Sequence, residues 1–178
     1  MKYCSKCGRT VSLSIPEGDN RERHVCDACA HIHYVNPNIV AGCIVEAGGG
    51  DELQLLLCRR AIEPRVGFWT MPAGFMENGE TVAEAAARET MEEAGAKVDI
   101  YMLMGVYSIP HISQVHMMFR GSLLNDDFAP GIESLETRLF KPDDIPWDEL
   151  AFRVTTLALR QYLENPLATD SRIDQIVV

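Results

Sequence analysis

The sequence predicts an α/β fold, a sandwich built on a mixed sheet and preceded by a small cysteine zinc ribbon. Three observations carry that expectation. Four of the six cysteines fall within the first 29 of 178 residues as two Cys-x-x-Cys pairs. Beyond them, strand-like apolar runs interleave with two stretches of helical spacing, the pattern of a layered α/β domain. Between the two regions stands Asn36-Pro37-Asn38, turn chemistry that marks a boundary. The expected division is 1–35 for the ribbon and 36–178 for the larger domain.

Cys4 and Cys7 are separated from Cys26 and Cys29 by 18 residues rich in Gly, Pro, Asp, Asn and Arg. Each pair makes a tight knuckle that puts two thiolates on one side of an ion, and two knuckles complete a tetrahedron around Zn²⁺. So short a segment cannot bury enough apolar surface to fold alone, and the metal would supply the missing stabilisation. With four cysteine ligands no position stays open to water, so this zinc is structural. Disulfides are disfavoured in a reducing compartment, and a redox pair lacks the βα surroundings it needs. His31 and His33 read as ordinary linker residues.

In the larger domain, Ile39–Glu46 and Leu53–Cys58 flank Gly48-Gly49-Gly50-Asp51 and read as a hairpin, with Cys43 and Cys58 as small core residues. A helix is expected from Thr81 to Gly95: Thr81 as N-cap, Glu84 completing a capping box, alanines between, and Gly95 as the stop. Ile100–Ile109, Val115–Leu124 and Glu136–Phe140 read as strands. Trp147–Glu164 carries helical spacing and stops before Pro166, while Ile173–Val178 suits an edge strand or an intersubunit contact.

Composition excludes some functions. No apolar run approaches the roughly 20 residues needed to cross a bilayer, and Met1-Lys2-Tyr3-Cys4 is unlike a secretory signal, so a cytoplasmic location is expected. A net charge of -10 argues against a general nucleic-acid surface, although Lys2, Lys6, Arg9, Arg21 and Arg23 make the ribbon locally basic. A phosphate substrate is compatible with that charge, since carboxylates bind phosphate through bridging metal ions.

The chemistry is concentrated in Gly74–Ala96, GFMENGETVAEAAARETMEEAGA. Glu89, Glu92 and Glu93 stand at i, i+3 and i+4, so their carboxylates project from one helix face. Three like charges there cost stability unless a cation sits among them, and a hard divalent ion such as Mg²⁺ is the natural answer. Arg88, four residues before Glu92, is placed to hold a carboxylate by a bidentate contact. A solvated acidic face is the plain alternative.

This segment resembles the Nudix signature GX5EX7REUXEEXGU. Gly74, Glu80, Arg88, Glu89, Glu92, Glu93 and Gly95 stand in register, and the departures, Thr90 and Ala96, fall at the two bulky-aliphatic positions. The resemblance covers roughly residues 39–165 and implies the Nudix α/β/α sandwich. It implies that Glu89, Glu92 and Glu93 ligate catalytic Mg²⁺ or Mn²⁺ with help from the Gly74 carbonyl, that Arg88 orients Glu89, and that Glu80 steadies the junction of loop and helix. Family members often add a glutamate beyond the box as ligand or base; Glu136 matches that place best, with Glu133 the runner-up. A homodimer is a further implication.

A four-cysteine ribbon before a Nudix box is similar to NADH pyrophosphatases, but the SQPWPFPxS-like segment of those enzymes is replaced here by Ser108–Val115, SIPHISQV. The ribbon, the Asn-Pro linker, Ser134–Phe140 and Ile145–Phe152 look more like plant plastid FAD and ADP-ribose pyrophosphatases. The expected activity is metal-dependent cleavage of the pyrophosphate of a nucleoside diphosphate derivative, ADP-ribose or FAD. The alternatives are NADH or NAD-capped RNA as substrate, or a non-catalytic nucleotide sensor or nucleic-acid-binding regulator. Phe68, Trp69, Tyr107 and Phe119 are candidates to stack on a base, or core residues.

Overall fold

In a computed structural model the chain is described over residues 1–166 and 168–175. It divides into two compact units, Met1–Pro37 and Asn38–Val178.

The first unit is a three-stranded antiparallel sheet in the order β1 (Val11–Ser14), β2 (Arg23–Cys26), β3 (Ile32–His33). Asp19 shapes the turn before β2, its carboxylate accepting from the Asn20 and Arg21 amides and pairing with Arg23 at 2.9 Å. His33 is not a linker residue. It pairs with His24 across the sheet, is buried, and meets the His31 ring edge-on at 4.6 Å. The sheet thus ends at His33, four residues past Cys29, the last of the spaced cysteines.

The second unit is built on β4 (Asn38–Ala47), β5 (Gln54–Arg60), β6 (Trp69–Thr70), β7 (Ala73–Phe75), α1 (Val82–Ala94), β8 (Val98–Ile109), β9 (Gln114–Leu123), β10 (Ser134–Phe140), α2 (Arg153–Glu164) and β11 (Arg172–Gln175). Its mixed sheet runs β10-β5-β4-β9-β8-β11, with β6 on β5 and β7 on β4. The β4–β9 and β8–β11 pairs are parallel and the others antiparallel. Alternation along the strands sends successive residues to opposite faces. Ala41 and Phe119 pack under Ala85 and Ala86 of α1, while Ile44 and Met118 pack under Val154, Ala158 and Leu159 of α2. Helix, sheet, helix is therefore the layer order. Cys43 and Cys58 are buried between the sheet and the end of α1.

Three elements differ from the sequence reading. The hairpin of β4 and β5 pairs only at Glu46–Leu55 and Ala47–Gln54, because β7 takes the remaining edge of β4 and β6 and β10 flank β5. The second helix begins at Arg153, not Trp147: after a short 3-10 turn at Trp147–Glu149, the Ala151 amide donates to the Trp69 carbonyl at 2.8 Å and Leu150 bridges Trp69, so these two residues are held extended against β6. At the C-terminus Arg172–Gln175 adds an edge strand parallel to β8, whereas 176–178, the rest of the expected strand, lie outside the described residues. No helix is long and apolar enough to cross a membrane among the described residues.

Candidate active site

Helix α1 is fixed at both ends. The Thr81 hydroxyl accepts from the Glu84 amide at 3.2 Å, the Glu84 carboxylate accepts from the Thr81 amide at 2.7 Å, and Gly95 closes the helix at φ 61°. Against the face bearing the glutamates lies β7, whose Gly74 backbone faces Glu89. A Cβ at Gly74 would overlap the Glu89 carboxylate, so a larger residue there would displace that side chain from its present position.

The resulting cleft holds about 740 Å³ and is lined by Glu89, Glu92 and Glu93 from α1, by Ala73–Glu77, by Arg60 and Ile62–Pro64 and by Ile132 and Glu133. Arg88 organises its acidic wall. The guanidinium donates twice to Glu80 (3.0 and 2.8 Å), once each to Glu89 (2.8 Å) and Glu92 (3.1 Å), and to the Phe75 carbonyl (3.1 Å). The bidentate partner is thus Glu80, and one nitrogen bridges Glu89 and Glu92. Glu80 also accepts from the Glu77 amide at 2.7 Å, tying the loop to the helix.

Charge is distributed unevenly among these groups. Arg88 holds the Glu80 carboxyl down at about 2. Burial pushes Glu93 up to about 8 despite the Ala73 amide, 3.3 Å from its carboxylate, and burial likewise raises Glu89 against the pull of Arg88. Glu92 is more than half exposed. The carboxylates of Glu89, Glu92 and Glu93 all line this cleft, and carboxylate oxygens are the donors that suit a hard divalent cation.

The carboxylate beyond the box at this cleft is Glu133, not Glu136. Glu136 sits on β10 beside Arg59 and Arg138, its carboxylate paired with the Arg138 guanidinium and 4.0 Å from that of Arg59, away from the cleft lining. Glu133 is placed by backbone bonds. Its carbonyl accepts from Ala61 at 2.8 Å, while the Ala129 and Gly131 amides donate to the Ala94 and Glu93 carbonyls at the end of α1. A Cβ on Gly131 would overlap the Glu92 carbonyl, which explains the glycine two residues ahead of Glu133.

Of the aromatic candidates, Trp69, Tyr107 and Phe119 are core residues, and Phe68 lies under the Arg65 guanidinium at 5.0 Å. The ring that lines the cleft is Phe75, and Phe152 borders the neighbouring hollow, which shares Arg60 with the cleft. Phe75 was hidden as a variable position of the box, and Phe152 and Arg60 carry no local motif.

In the ribbon unit the Sγ atoms of Cys4, Cys7, Cys26 and Cys29 lie within 4.8 Å of one another, the only such group of metal-ligating side chains among the described residues. Cys4–Cys29 and Cys7–Cys26 are 3.8 and 3.5 Å apart, against an edge of about 3.8 Å for a tetrahedron with Zn–S bonds of about 2.3 Å. Both knuckles are built alike. The Lys6 and Cys29 amides each donate to a cysteine sulfur at 3.4 Å, and the chain turns back at Gly8 (φ 73°) and Ala30 (φ 54°), whose amides donate to the Cys4 and Cys26 carbonyls. These residues fit zinc. Cys7→Ser is expected to lower bound zinc by atomic absorption and to make residues 1–37 protease-sensitive, while turnover by the larger unit is retained.

Family models agree with this division of chemistry. The model described as the NUDIX domain matches residues 36–159, and the one described as Nudix N-terminal, a zinc ribbon, matches residues 2–35. The chain belongs to the Nudix family. This Nudix protein is similar to a solved NUDIX hydrolase from Nitrosomonas europaea, with 52% identity over 99% of both chains and a TM-score of 0.92. It is 31% identical over 125 residues to an ADP-ribose pyrophosphatase of Methanocaldococcus jannaschii, covering 67% of this chain and 69% of that one. It is 32% identical over 146 residues to the NAD-capped RNA hydrolase NudC of Shigella flexneri, covering 82% of this chain but 53% of NudC. The chain thus spans about half the length of NudC.

Proposed function

We propose that this Nudix protein hydrolyses the pyrophosphate link of a nucleoside diphosphate derivative, with ADP-ribose or FAD as substrate. The observation that carries the reading is one cleft in which Glu89, Glu92, Glu93 and the Gly74 backbone meet Glu133. The three box glutamates and the Gly74 carbonyl would hold Mg²⁺ or Mn²⁺. Such an ion, when bound, lowers the pKa of the attacking water and neutralises charge on the phosphate oxygens. Glu133, in the lining of the same cleft, would take the water's proton. Arg88 keeps Glu89 and Glu92 at fixed separation, and Arg60 adds a positive charge to the cleft lining. A structural zinc in the ribbon completes the metal complement.

The similarity to NudC supports a second reading, with NADH or an NAD-capped RNA end as substrate. Phosphate release after phosphatase coupling separates the two, with ADP-ribose, FAD, NADH and nucleoside triphosphates each assayed with Mg²⁺ and with EDTA. Metal-dependent cleavage of ADP-ribose or FAD is expected, preferential cleavage of NADH would favour the second reading, and silence on the whole panel would sink both in favour of a sensor.

The state of Glu93 gives a pH dependence with a definite sign. Its carboxyl is raised to about 8, so in the metal-free protein it is protonated at neutral pH, and binding an ion expels that proton. Mg²⁺ affinity should therefore rise by up to about tenfold per pH unit toward pH 8 and level off above it. Calorimetry in buffers of differing ionisation enthalpy would detect the released proton; a pH-independent affinity contradicts the assignment of Glu93. In the metal-free chain the same shift adds stability fully present below the ordinary carboxylate value and lost as pH rises through about 8.

A further inference from the structure

Strand β10 ends the mixed sheet on one side. It pairs with β5 over Ser134–Phe140, and among the described residues no strand lies on its other edge. Such an edge carries a row of backbone donors and acceptors open to a further strand, and proline, shortness or a bulge commonly blunts it. Those defences are weak here. The seven residues SLETRLF include no proline, and the irregularity in their pairing falls between Ser134 and Glu136, so residues 136–140 run in unbroken register against Arg59 to Leu55.

The side chains of this strand favour one kind of occupant. Glu136 and Arg138, two residues apart, project from the same face, pair with each other and remain 34% and 56% exposed. Thr137 projects from the opposite face between them. Ile132, just before the strand, and Leu135, at the irregularity, are 98% and 55% exposed, apolar side chains left in water. Charges on an edge ordinarily keep a second copy away by meeting their like. A pair of opposite sign at this spacing instead fits a copy of itself.

The fit depends on register. A two-fold axis normal to the sheet sets β10 antiparallel to its copy, and because side chains alternate, the faces match only where one residue stands opposite its own counterpart. Centred on Glu136 or on Arg138, the pairing opposes like charges. Centred on Thr137, it opposes Glu136 to Arg138 of the partner subunit, Arg138 to Glu136 of the partner subunit and threonine to threonine, all favourable cross-strand pairs. Each Glu136 also keeps the Arg138 of its own chain, so four charges alternate in sign around the axis. We propose that the free edge of β10 is the docking surface for a second copy of this chain, antiparallel and centred on Thr137, with one sheet running through both subunits.

Sedimentation velocity of the full chain tests this, and because it needs no substrate its outcome is independent of the hydrolase reading. The parent is expected to sediment as a dimer at tens of micromolar. Glu136→Arg and Arg138→Glu should each raise the dissociation constant at least about tenfold, because each turns two attractive cross-strand pairs into repulsive ones. Mixed in equal amounts, the two single variants should form a heterodimer, since a chain with two arginines then faces one with two glutamates. The double swap, Glu136→Arg with Arg138→Glu, should dimerise like the parent. Neither recovery is open to a chain that has merely misfolded. A monomeric parent, single variants that dimerise as the parent does, or a loss that neither mixing nor the double swap recovers overturns the docking surface.

Discussion

Glu93→Gln is expected to lower kcat on the preferred substrate by at least about a hundredfold while leaving the melting temperature at neutral pH at or above that of the parent. Glu93 is 7% exposed, and its carboxyl is raised to about 8 by burial, so without metal the side chain is neutral. Glutamine copies that neutral form in size and shape and can replace it without a buried charge. It cannot ionise to ligate a cation, and stabilisation of phosphate charge by metal ions amounts to several kcal/mol, each 1.4 of which is a factor of ten in rate. Thermal melting and turnover measured on the same preparation decide the matter. Near-parental kcat would mean that the catalytic ion sits elsewhere, whereas a collapsed melting temperature would make Glu93 a fold residue.

Arg88→Met should act on stability and rate together. The substitution keeps a long side chain and removes five donated hydrogen bonds, stranding Glu80, Glu89 and Glu92 with no counter-charge from Arg88. Glu89 has 12% side-chain exposure, so repulsion from its neighbours is poorly screened there. The helix face is expected to rearrange, and misplacing reacting groups by about 1 Å can cost about a hundredfold in rate. The melting temperature should fall by several degrees, and raising Mg²⁺ should recover part of the loss by supplying positive charge to the same carboxylates. Unaltered melting with Mg²⁺-independent activity would show that the Arg88 network is incidental.

Much of this was legible from the chain alone because the relevant signals are local. The capping box of Thr81 and Glu84, the stop at Gly95 and the i, i+3, i+4 placement of Glu89, Glu92 and Glu93 lie within one helix, where sequence distance and spatial distance are nearly the same thing. The two knuckles are local in the same sense, each closed by a turn of a few residues. The onset of α2 was not legible: residues 147–152 have helical spacing, but Leu150 and Ala151 pair with Trp69, some 80 residues away, and that pairing overrides the pattern. The aromatic residues failed for a related reason, since alternation shows that Trp69 and Phe119 share the strand pattern without showing which face is covered.

By itself, then, the sequence determined the family of the chain, its mixed α/β architecture, the four cysteines of the ribbon and the carboxylates of α1, all fixed by short-range spacing and covalent geometry. Only the tertiary structure decided which groups from distant segments meet those carboxylates. Glu133 rather than Glu136 faces the cleft because Gly131 lets its loop lie on the end of α1. Phe75 borders the same cleft because β7 pairs with β4. Both depend on contacts closed across long stretches of chain, and no local pattern of residues encodes which partners such closures bring together.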